Sequence, residues 1–300
     1  MHFAEAVPAF EIQLQANQRS CHTVKSYRRD IGMLRGWLER EDHPLSVDRI
    51  TPPLLLQFAA SPACTHQADG TPRKPGSIDK IKMSVRAFFG FLNDAGLIPT
   101  NPARILKYRR GRERVPETLT ADECRRLLQT ASQRDAMILD LFLHTGIRLE
   151  ALVGLDVDDV RLPEGRVVVR HQKGGNEVTK AIPVALLPRL KDYLRRRIEL
   201  DTDSHALFLS SRKLRLSGRQ VQQMVEKRGH EAGISKRVTP HMLRRTFATR
   251  LYERSKDLLL VQRALDHRFV GTTQRYARTS DPAGAAGYVG DAIFGDAKNS

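Results

Sequence analysis

A pair of basic side chains at the start of a predicted helix is the feature of this 300-residue sequence best suited to chemistry. In the run TPHMLRRTFAT, His241 and Arg244 stand three residues apart, so one turn of helix would place both on the same face. The N-terminal end of a helix carries a partial positive charge and free N–H groups that point the same way. The run therefore predicts a phosphate site, although His241 could instead serve only as a helix cap.

Three more polar residues stand where they could join such a site. Arg148 closes the run HTGIR, just past the end of a predicted helix, and His267 and Tyr276 stand nine residues apart near the C-terminal end. Tyrosine is a nucleophile in covalent catalysis, although it can also be a buried anchor. Tyr252 and Tyr288 are weaker candidates, because the first falls within a predicted helix and the second in a tail rich in Ala and Gly.

No motif for a nucleotide, a metal or a cofactor occurs in the sequence. It has no GxxxxGK[ST] loop, no GxGxxG after a strand, no HExxH and no acidic cluster for Mg²⁺. Its ten histidines lack the spacing of metal ligands. We therefore predict no metal and no cofactor, and a chemistry carried by positive charge alone.

The charge of the whole chain indicates the class of partner. Fifty Lys and Arg against 34 Asp and Glu give a net charge of +16, which favours polyanions such as nucleic acid or anionic lipid. The apolar runs are far shorter than the roughly 18 residues that span a bilayer, and MHFAEAVPAF lacks the pattern of a secretory signal. Three scattered cysteines without a CxxC pair are typical of a reducing compartment. These features predict a cytoplasmic protein with no membrane partner.

The sharpest local feature is the basic segment RILKYRRGRER over residues 104–114, which holds six basic residues and one acidic residue. Prolines on both sides disfavour an unbroken helix, so the sequence predicts a linker between two folded units. The linker either lies against phosphates or is a solvated connection with incidental arginines. Its predicted nucleic-acid contacts are Arg109, Arg110 and Arg112.

The first unit is predicted to be helical. Apolar residues recur at spacings of three and four over residues 23–40, and again over residues 77–94, where Ser77 is the expected N-cap. Residues 61–76, rich in Pro, Gly and Ser, are predicted to form a loop. Basic residues off the two apolar stripes are predicted to contact nucleic acid. These residues are Lys25, Arg28, Arg29, Lys80, Lys82 and Arg86.

The second unit is also predicted to be mostly helical. Thr120 and Glu123 have the spacing of a capping box, which begins a helix, and a helix over residues 134–144 would end near Gly146. The further predicted helices span residues 185–200, 217–232, 240–254, 258–265 and 272–277.

One hairpin interrupts these helices. Residues 167–169 and 178–182 are β-branched runs on either side of a Gly-Gly turn, with Lys173 at the tip. A lysine on such a turn could simply be solvated. The predicted fold class is therefore mostly α with one small antiparallel β-sheet.

Taken together, these runs resemble the tyrosine site-specific recombinases of the phage-integrase and Xer-type family. The matching runs are HTGIR, the hairpin run HQKGGNEV, the box PHMLRRTFAT and the run LDHRFVGTTQRYA, in that order. The N-terminal unit and the basic linker resemble the family's helical DNA-clamping domain and interdomain segment, so the resemblance covers residues 10–280. It implies a SAM-like DNA-binding domain over 1–103, a linker over 104–116 and a catalytic domain with a C-terminal tail over 117–300.

The resemblance implies a reaction and its partners. Tyr276 is the expected nucleophile, which attacks a backbone phosphorus to give a 3′-phosphotyrosyl bond and a free 5′-hydroxyl. The bond energy is kept in the phosphotyrosine, so strand exchange needs neither ATP nor metal. The expected partner is double-stranded DNA with a specific recombination site, bound by a homotetramer. The sequence leaves open the target site, the biological role and any need for an accessory protein or partner recombinase.

The resemblance also implies roles for the remaining site residues. Arg148 and Arg244 are expected to hold the non-bridging oxygens and stabilise the transition state, because the guanidinium fork suits that geometry. Lys173 is expected to protonate the departing 5′-oxygen. His241 is expected to assist proton transfer, and His267 to hydrogen-bond the phosphate.

Two positions depart from the family pattern. Ala151 stands where the family usually has an acidic residue, and the adjacent Glu150 would point about 100° around a helix. Asp266 replaces the glycine that usually precedes the second histidine. These departures keep open a catalytically impaired DNA-binding regulator of the same fold. A topoisomerase-like nicking enzyme is a further alternative, which the site-clamping N-terminal unit disfavours.

Overall fold

The computed structural model describes residues 1–108, 117–170, 177–200 and 202–265. The chain divides into two compact units, Met1–Arg112 and Glu113–Ser300, and each unit contains its own large hydrophobic core. The described residues are mostly helical, with one three-stranded antiparallel sheet in the second unit. The predicted fold class is confirmed.

The first unit is built from helices around an aromatic core. Phe88 of its last long helix lies against Phe3 and Phe10, with ring centroids 5.6 Å apart in both pairs. The α-helices are α1 Phe3–Ala16, α2 Cys21–Arg40, α3 Pro52–Ala60, α4 Pro62–Thr65 and α5 Pro75–Asp94, with 3₁₀ turns at Val47–Arg49 and Pro102–Ile105.

Both amphipathic helices predicted in this unit are confirmed, and their starts differ from the prediction. Helix α2 begins at Cys21, because the Ser20 hydroxyl accepts from the N–H of Thr23 at 3.2 Å. Helix α5 begins at Pro75, whose fixed φ suits the first helical position. The expected Ser77 cap is therefore wrong, because Ser77 lies inside the first turn.

The predicted loop over residues 61–76 is only partly correct. Pro62 starts the one-turn helix α4, and Pro75 starts α5 within the same range. The prediction treats proline as a loop former, whereas both prolines stand at helix starts, where the missing N–H would have no helical acceptor. Helices α1 and α3 were not predicted.

The second unit packs helices around a small sheet in the order β1-β2-β3. Val167 on β2 stands opposite Lys180 on β3, and Val169 stands opposite Val178. The strands are β1 Val160–Arg161, β2 Arg166–Val169 and β3 Val178–Ala181. The α-helices are α6 Ala121–Gln129, α7 Gln133–Thr145, α8 Leu149–Gly154, α9 Leu187–Ile198, α10 Gly218–Glu231, α11 Pro240–Ser255 and α12 Leu258–Ala264, with 3₁₀ turns at Val157–Asp159, Leu162–Glu164 and Val184–Leu186.

Local signals in the sequence predicted most of these elements. The capping box is present: the N–H of Thr120 donates to Glu123 at 2.7 Å, and the N–H of Glu123 donates to the Thr120 hydroxyl at 3.2 Å. The helices and the hairpin strands lie where predicted, within about two residues. Helix α8 and strand β1 were not predicted, and the helix expected over 272–277 lies outside the described residues.

Helix α7 lies at the centre of the second unit. Every residue from 135 to 143 is buried, which no surface helix would allow. Its last turn packs against α11, where Phe247 lies beside Gly146. This packing places the end of α7 beside the first half of α11. Within the described ranges, no helix combines the length and apolar character needed to cross a bilayer.

Candidate active site

The site forms where the chain leaves α7. Gly146 ends this helix in the left-handed region, with φ of 58°. A Cβ at this position would lie 2.4 Å from Cδ1 of Phe247, closer than two carbon atoms can approach. Only glycine therefore allows both the turn and the close approach of α11.

The N-terminus of α11 provides the predicted phosphate-binding features. The Thr239 hydroxyl accepts from the N–H of Met242 at 3.2 Å, and Pro240 takes the first helical position. His241 follows and is exposed, whereas Arg244 is buried, with 5% of its surface accessible. The two side chains predicted to share a face therefore lie at different depths beside one helix start.

Two backbone carbonyls hold the Arg244 guanidinium. Nη1 donates to the carbonyl of Gly146, at the end of α7, and Nη2 donates to the carbonyl of Leu265, just past α12. Carbonyls at helix ends lack an intrahelical donor and attract cations. Because a guanidinium is a rigid, planar fork of donors, two such bonds fix its plane.

Arg148 lies two residues beyond Gly146, at the N-cap of α8. Its backbone is extended, and its carbonyl accepts the N–H of Leu152 at 2.9 Å. Its side chain is half-buried. The turn from α7 to α8 therefore carries both Arg148 and the carbonyl that holds Arg244, so the structure brings the two predicted arginines to one turn.

Below this turn lies a buried acid. Asp140 of α7 has no accessible surface, and Oδ2 lies 2.8 Å from Nη2 of Arg189 on α9. Burial raises the pKa of Asp140 to about 6, against the opposing effect of Arg189. One turn later, Nδ1 of His144 lies 2.9 Å from the carbonyl of Asp140, and burial lowers the pKa of His144. At neutral pH this histidine is therefore uncharged and adds no positive charge to the site.

The departure at Ala151 is accommodated by packing. Ala151 is half-buried on α8 and lies against the hydrophobic core, while Glu150 beside it is exposed. The two neighbours therefore differ in exposure, as their places around a helix predict.

A buried lysine on β3 was missed by sequence reasoning. Lys180 is 5% exposed, and its Nζ donates to the carbonyl of Ala264 at the end of α12. The signal in the sequence was the alternation of the strand, which places Lys180 on the same face as Val178. In the structure this face points inward, and the residue opposite Lys180, Val167, is buried.

Several predicted residues lie outside the described ranges. Of the six predicted catalytic residues, the structure describes three: Arg148, His241 and Arg244. The residues outside are Lys173, His267 and Tyr276, together with the linker arginines Arg109, Arg110 and Arg112.

The predicted DNA contacts of the first unit lie on its helices, and four have polar partners, three of which are side chains. Arg28 pairs with Glu11 of α1, Arg29 pairs with the buried Asp30 at 2.9 Å, and Lys80 of α5 donates to Ser26 of α2. These contacts join the helices or hold a side chain on its own helix. Of the other predicted contacts on these helices, Lys25 is exposed and Lys82 is half-buried.

Arg86 makes the most extensive contacts of this group. Its Nη1 donates to the carbonyls of Leu106 at 3.0 Å and Arg104 at 3.3 Å, and its guanidinium carbon lies 5.4 Å from the centre of the Tyr108 ring. Arg86 thus holds the residues that lead out of the first unit, a contact that its position off the apolar stripe did not indicate.

No group of three His, Cys, Asp or Glu side chains forms a metal site in the part of the chain that the structure describes. The described site instead consists of cations at helix ends. Such a site suits an anion whose charge increases during a reaction.

Comparisons with known proteins identify the family of the chain. The model of the phage integrase family matches residues 117–282, and the model of the phage integrase N-terminal SAM-like domain matches residues 7–96. The tyrosine recombinase XerC of Thermodesulfovibrio yellowstonii is 32% identical over 279 residues, covering 88% of each chain. The tyrosine recombinase XerA of Pyrococcus furiosus is 33% identical over 285 residues, covering 92% of this chain and 90% of the relative.

Solved structures show the same fold. The crystal structure of XerA recombinase matches with a TM-score of 0.54 and 28% identity, over 94% of this chain and 95% of that chain. A lambda integrase structure of residues 75–356 matches with a TM-score of 0.71 and 20% identity, over 94% and 96%. At that identity the second likeness concerns the fold alone. Both agree with a helical N-terminal domain followed by a mostly helical catalytic domain.

Proposed function

The chain belongs to the phage integrase family of tyrosine recombinases and is a site-specific recombinase, and from this premise we propose how its residues carry the reaction. The hydroxyl oxygen of Tyr276 attacks a phosphorus of the DNA backbone. The new phosphorus–oxygen bond forms as the bond to the 5′-oxygen breaks, and that oxygen takes up a proton. A 5′-hydroxyl of another strand later attacks the phosphotyrosine and releases the tyrosine, so neither ATP nor metal is needed.

The nucleophile explains why the site must be cationic. A tyrosine with its ordinary pKa near 10 is ionised in about one molecule in a thousand at pH 7, a deficit of about 4 kcal/mol. The phosphorane-like transition state also carries more negative charge than the starting diester. Fixed cations at the reacting phosphate stabilise both the phenolate and that transition state.

The two arginines are assigned to the non-bridging oxygens of the phosphate. The observation that carries this assignment is the geometry of Arg244, which two helix-end carbonyls hold in one plane. Arg148 approaches from the turn that provides one of those carbonyls. A guanidinium held in this way needs no reorganisation when charge develops, which is the property that electrostatic catalysis requires.

The remaining roles follow the family pattern. Lys173, between β2 and β3, protonates the departing 5′-oxygen. His241, exposed at the start of α11, assists proton transfer, and His267, two residues beyond Leu265, hydrogen-bonds the phosphate. The helix N-terminus beneath His241 adds its partial positive charge.

The DNA partner and the assembly are also proposed. Lambda integrase has been solved as a dimer on a core site and as a tetramer on a Holliday junction, and XerH on its difH substrate. By likeness to them, we assign to this chain a double-stranded recombination site bound by four protomers in the cytoplasm. Residues 1–103 would bind the DNA, 104–116 would lie along its phosphates, and 117–300 would cut and rejoin it.

Covalent capture tests the proposal. Wild-type protein, Tyr276→Phe and the control Tyr252→Phe are expressed in cells, the lysates are denatured, and the DNA that remains bound to protein is sequenced. We expect one recurring DNA site attached to wild type and to Tyr252→Phe, and none attached to Tyr276→Phe. Adducts that persist in Tyr276→Phe would show that another residue is the nucleophile. Specific DNA binding without adducts in wild type would leave two explanations, a catalytically impaired regulator or a recombinase that lacks its partner or site, and a suicide substrate built from the DNA that flanks the gene separates them.

A further inference from the structure

Two consecutive backbone carbonyls at the end of α12 are bound by buried cations from two other elements. Lys180 of β3 donates to the carbonyl of Ala264, and Arg244 of α11 donates to the carbonyl of Leu265. Each cation is only 5% exposed. The end of this helix is therefore tied both to the sheet and to the helix that carries the candidate site.

Apolar packing attaches α12 through few residues. The small cluster that includes it contains Val261 and Leu265 of this segment, while Leu259 and Leu260 point outward, 55% and 43% exposed. The helix has only seven residues, too short to be stable on its own. The polar bonds at its C-terminal end therefore add to this packing in holding the helix in place.

Stability alone does not explain a lysine at the Lys180 position. The residue faces inward on β3, opposite the buried Val167, where an apolar side chain would avoid the desolvation of an ammonium group. A carbonyl at a helix C-terminus is a place where that ammonium group is favoured. The lysine therefore provides a directed bond to one backbone atom, at some expense in stability.

We propose that Lys180 is a positioning residue for the active site. Together with Arg244 it fixes the backbone at Ala264 and Leu265, from which the chain continues to His267 and Tyr276. This proposal rests on the proposed roles of His267 and Tyr276. Because Arg244 also binds the carbonyl of Gly146, one guanidinium sets the start of this segment relative to the turn that carries Arg148.

The first test needs no DNA. Hydrogen–deuterium exchange is measured on full-length wild type, Lys180→Met and Lys180→Arg, for peptides that contain the amides of Val261 and Leu265, which are bonded within α12. We expect exchange about tenfold to a hundredfold faster in Lys180→Met, because the helix loses a charged bond at its end. Lys180→Arg, which keeps a cationic donor, should recover most of the protection.

A matched control separates positioning from general loosening. Tyr193→Phe also removes a buried donor to a carbonyl, that of Leu207 at 2.9 Å, elsewhere in the second unit. We expect it to leave the exchange of α12 unchanged. Exchange in Lys180→Met within twofold of wild type would overturn the proposal. If Lys180→Met does not fold, Lys180→Gln provides the same comparison with a polar side chain that is too short.

The second test separates positioning from proton donation. The captured target DNA is made as a suicide substrate, with either oxygen or sulfur at the 5′ bridging position of the cut phosphate. A thiolate leaves without a proton donor, so sulfur should rescue Lys173→Ala. Lys180→Met should instead cleave both substrates about a hundredfold more slowly than wild type, because a displaced nucleophile is equally slow with either leaving group.

Each outcome has one meaning. Rescue of Lys180→Met by sulfur would show that Lys180 itself donates the proton and would overturn the positioning role, as would cleavage of the oxygen substrate at the wild-type rate. If wild type forms no adduct at all, the proposed function fails, and the exchange measurement still decides whether Lys180 holds the end of α12.

Discussion

The two units use cations in opposite ways. On the first unit, the side chains of Arg28 and Arg29 are 63% and 60% exposed and pair with carboxylates. In the second unit, Arg244 and Lys180 are buried and bind backbone carbonyls at helix ends. The guanidinium groups of the first unit remain open to solvent although their carboxylate partners are 14% and 0% exposed, whereas buried cations that lose their partners are left without solvation.

This difference separates binding from chemistry. An exposed guanidinium can meet a phosphate of DNA without first being uncovered, which suits a surface that binds along a duplex. A buried guanidinium whose plane is fixed by two carbonyls suits a group that must meet charge developing on one phosphate. Substitutions in the second unit should therefore affect cleavage, and those on the first unit should affect binding.

The largest effect is expected for Arg244→Lys. Lysine keeps the charge but lacks the fork that binds the carbonyls of Gly146 and Leu265 and that, in the proposed reaction, faces the phosphate. We expect single-turnover cleavage about a thousandfold slower, with DNA affinity within a fewfold of wild type. The control is Arg250→Lys on the same helix, where the side chain bonds the carbonyl of Leu119 at 3.3 Å. Equal losses in the two variants would show that Arg244 acts only through folding.

Gly146→Ala tests the turn itself. The added Cβ would lie 2.4 Å from the Phe247 ring, at a φ of 58° that alanine disfavours. We expect the second unit to lose about 3 kcal/mol of unfolding free energy, measured by denaturant unfolding. Gly154→Ala is the control, because a methyl group added there, at the end of α8, would meet no neighbouring side chain or packed segment within 4 Å. A Gly146→Ala protein as stable as this control would contradict the close packing of α7 and α11.

Asp140 makes the stability of the second unit depend on pH. Its pKa rises to about 6 in the folded protein from an ordinary value of 3.8, so the folded state binds a proton more tightly than the unfolded state between pH 4 and 6. The free energy of unfolding therefore falls as the pH rises through this window, by about 2 kcal/mol for this group, and stays level above it. Asp140→Asn should abolish that part of the slope in unfolding curves.

The control for Asp140 is an acid with the opposite shift. Asp192 is held by Arg195, and this contact lowers its pKa below the ordinary value, so Asp192→Asn should leave the slope between pH 4 and 6 as it is in wild type. An unchanged slope in Asp140→Asn would place the titration elsewhere in the protein.

Sequence reasoning succeeded where the signal was local. The spacing of His241 and Arg244, the proline and threonine before them, and the glycine that ends α7 each specify structure within a few residues. It failed where the partner is distant: Lys180 is 84 residues from Ala264, so its role depends on the packing of a sheet against a later helix. The start of α5 failed for a different reason, because two signals competed and the proline at Pro75 prevailed over Ser77.

The same limit applies to the predicted DNA contacts. In the sequence, Lys25, Arg28 and Arg86 all lie off the apolar stripes of their helices. The structure shows that they differ in exposure and in contacts. Arg86 is engaged with the backbone that leads out of the first unit, and no helical periodicity encodes that contact. Charge and spacing therefore predict which side chains lie off the apolar stripe, and only the tertiary structure tells which of them are already occupied.

The smallest effects are expected on the first unit, and they sharpen the comparison most. Lys25→Ala should lower DNA affinity and flatten the log–log dependence of binding on salt by about one unit, because one phosphate contact is lost. Cleavage at saturating protein should stay within about twofold of wild type, since no cation of the catalytic site has moved.

Arg86→Ala is the informative partner of Lys25→Ala. Its bonds to the carbonyls of Leu106 and Arg104 predict a lower melting temperature with little change in the salt dependence of DNA binding. If instead Arg86→Ala flattens the slope while its stability is unchanged, the side chain leaves its own backbone for the DNA, and exposure alone would no longer divide adaptable cations from fixed ones.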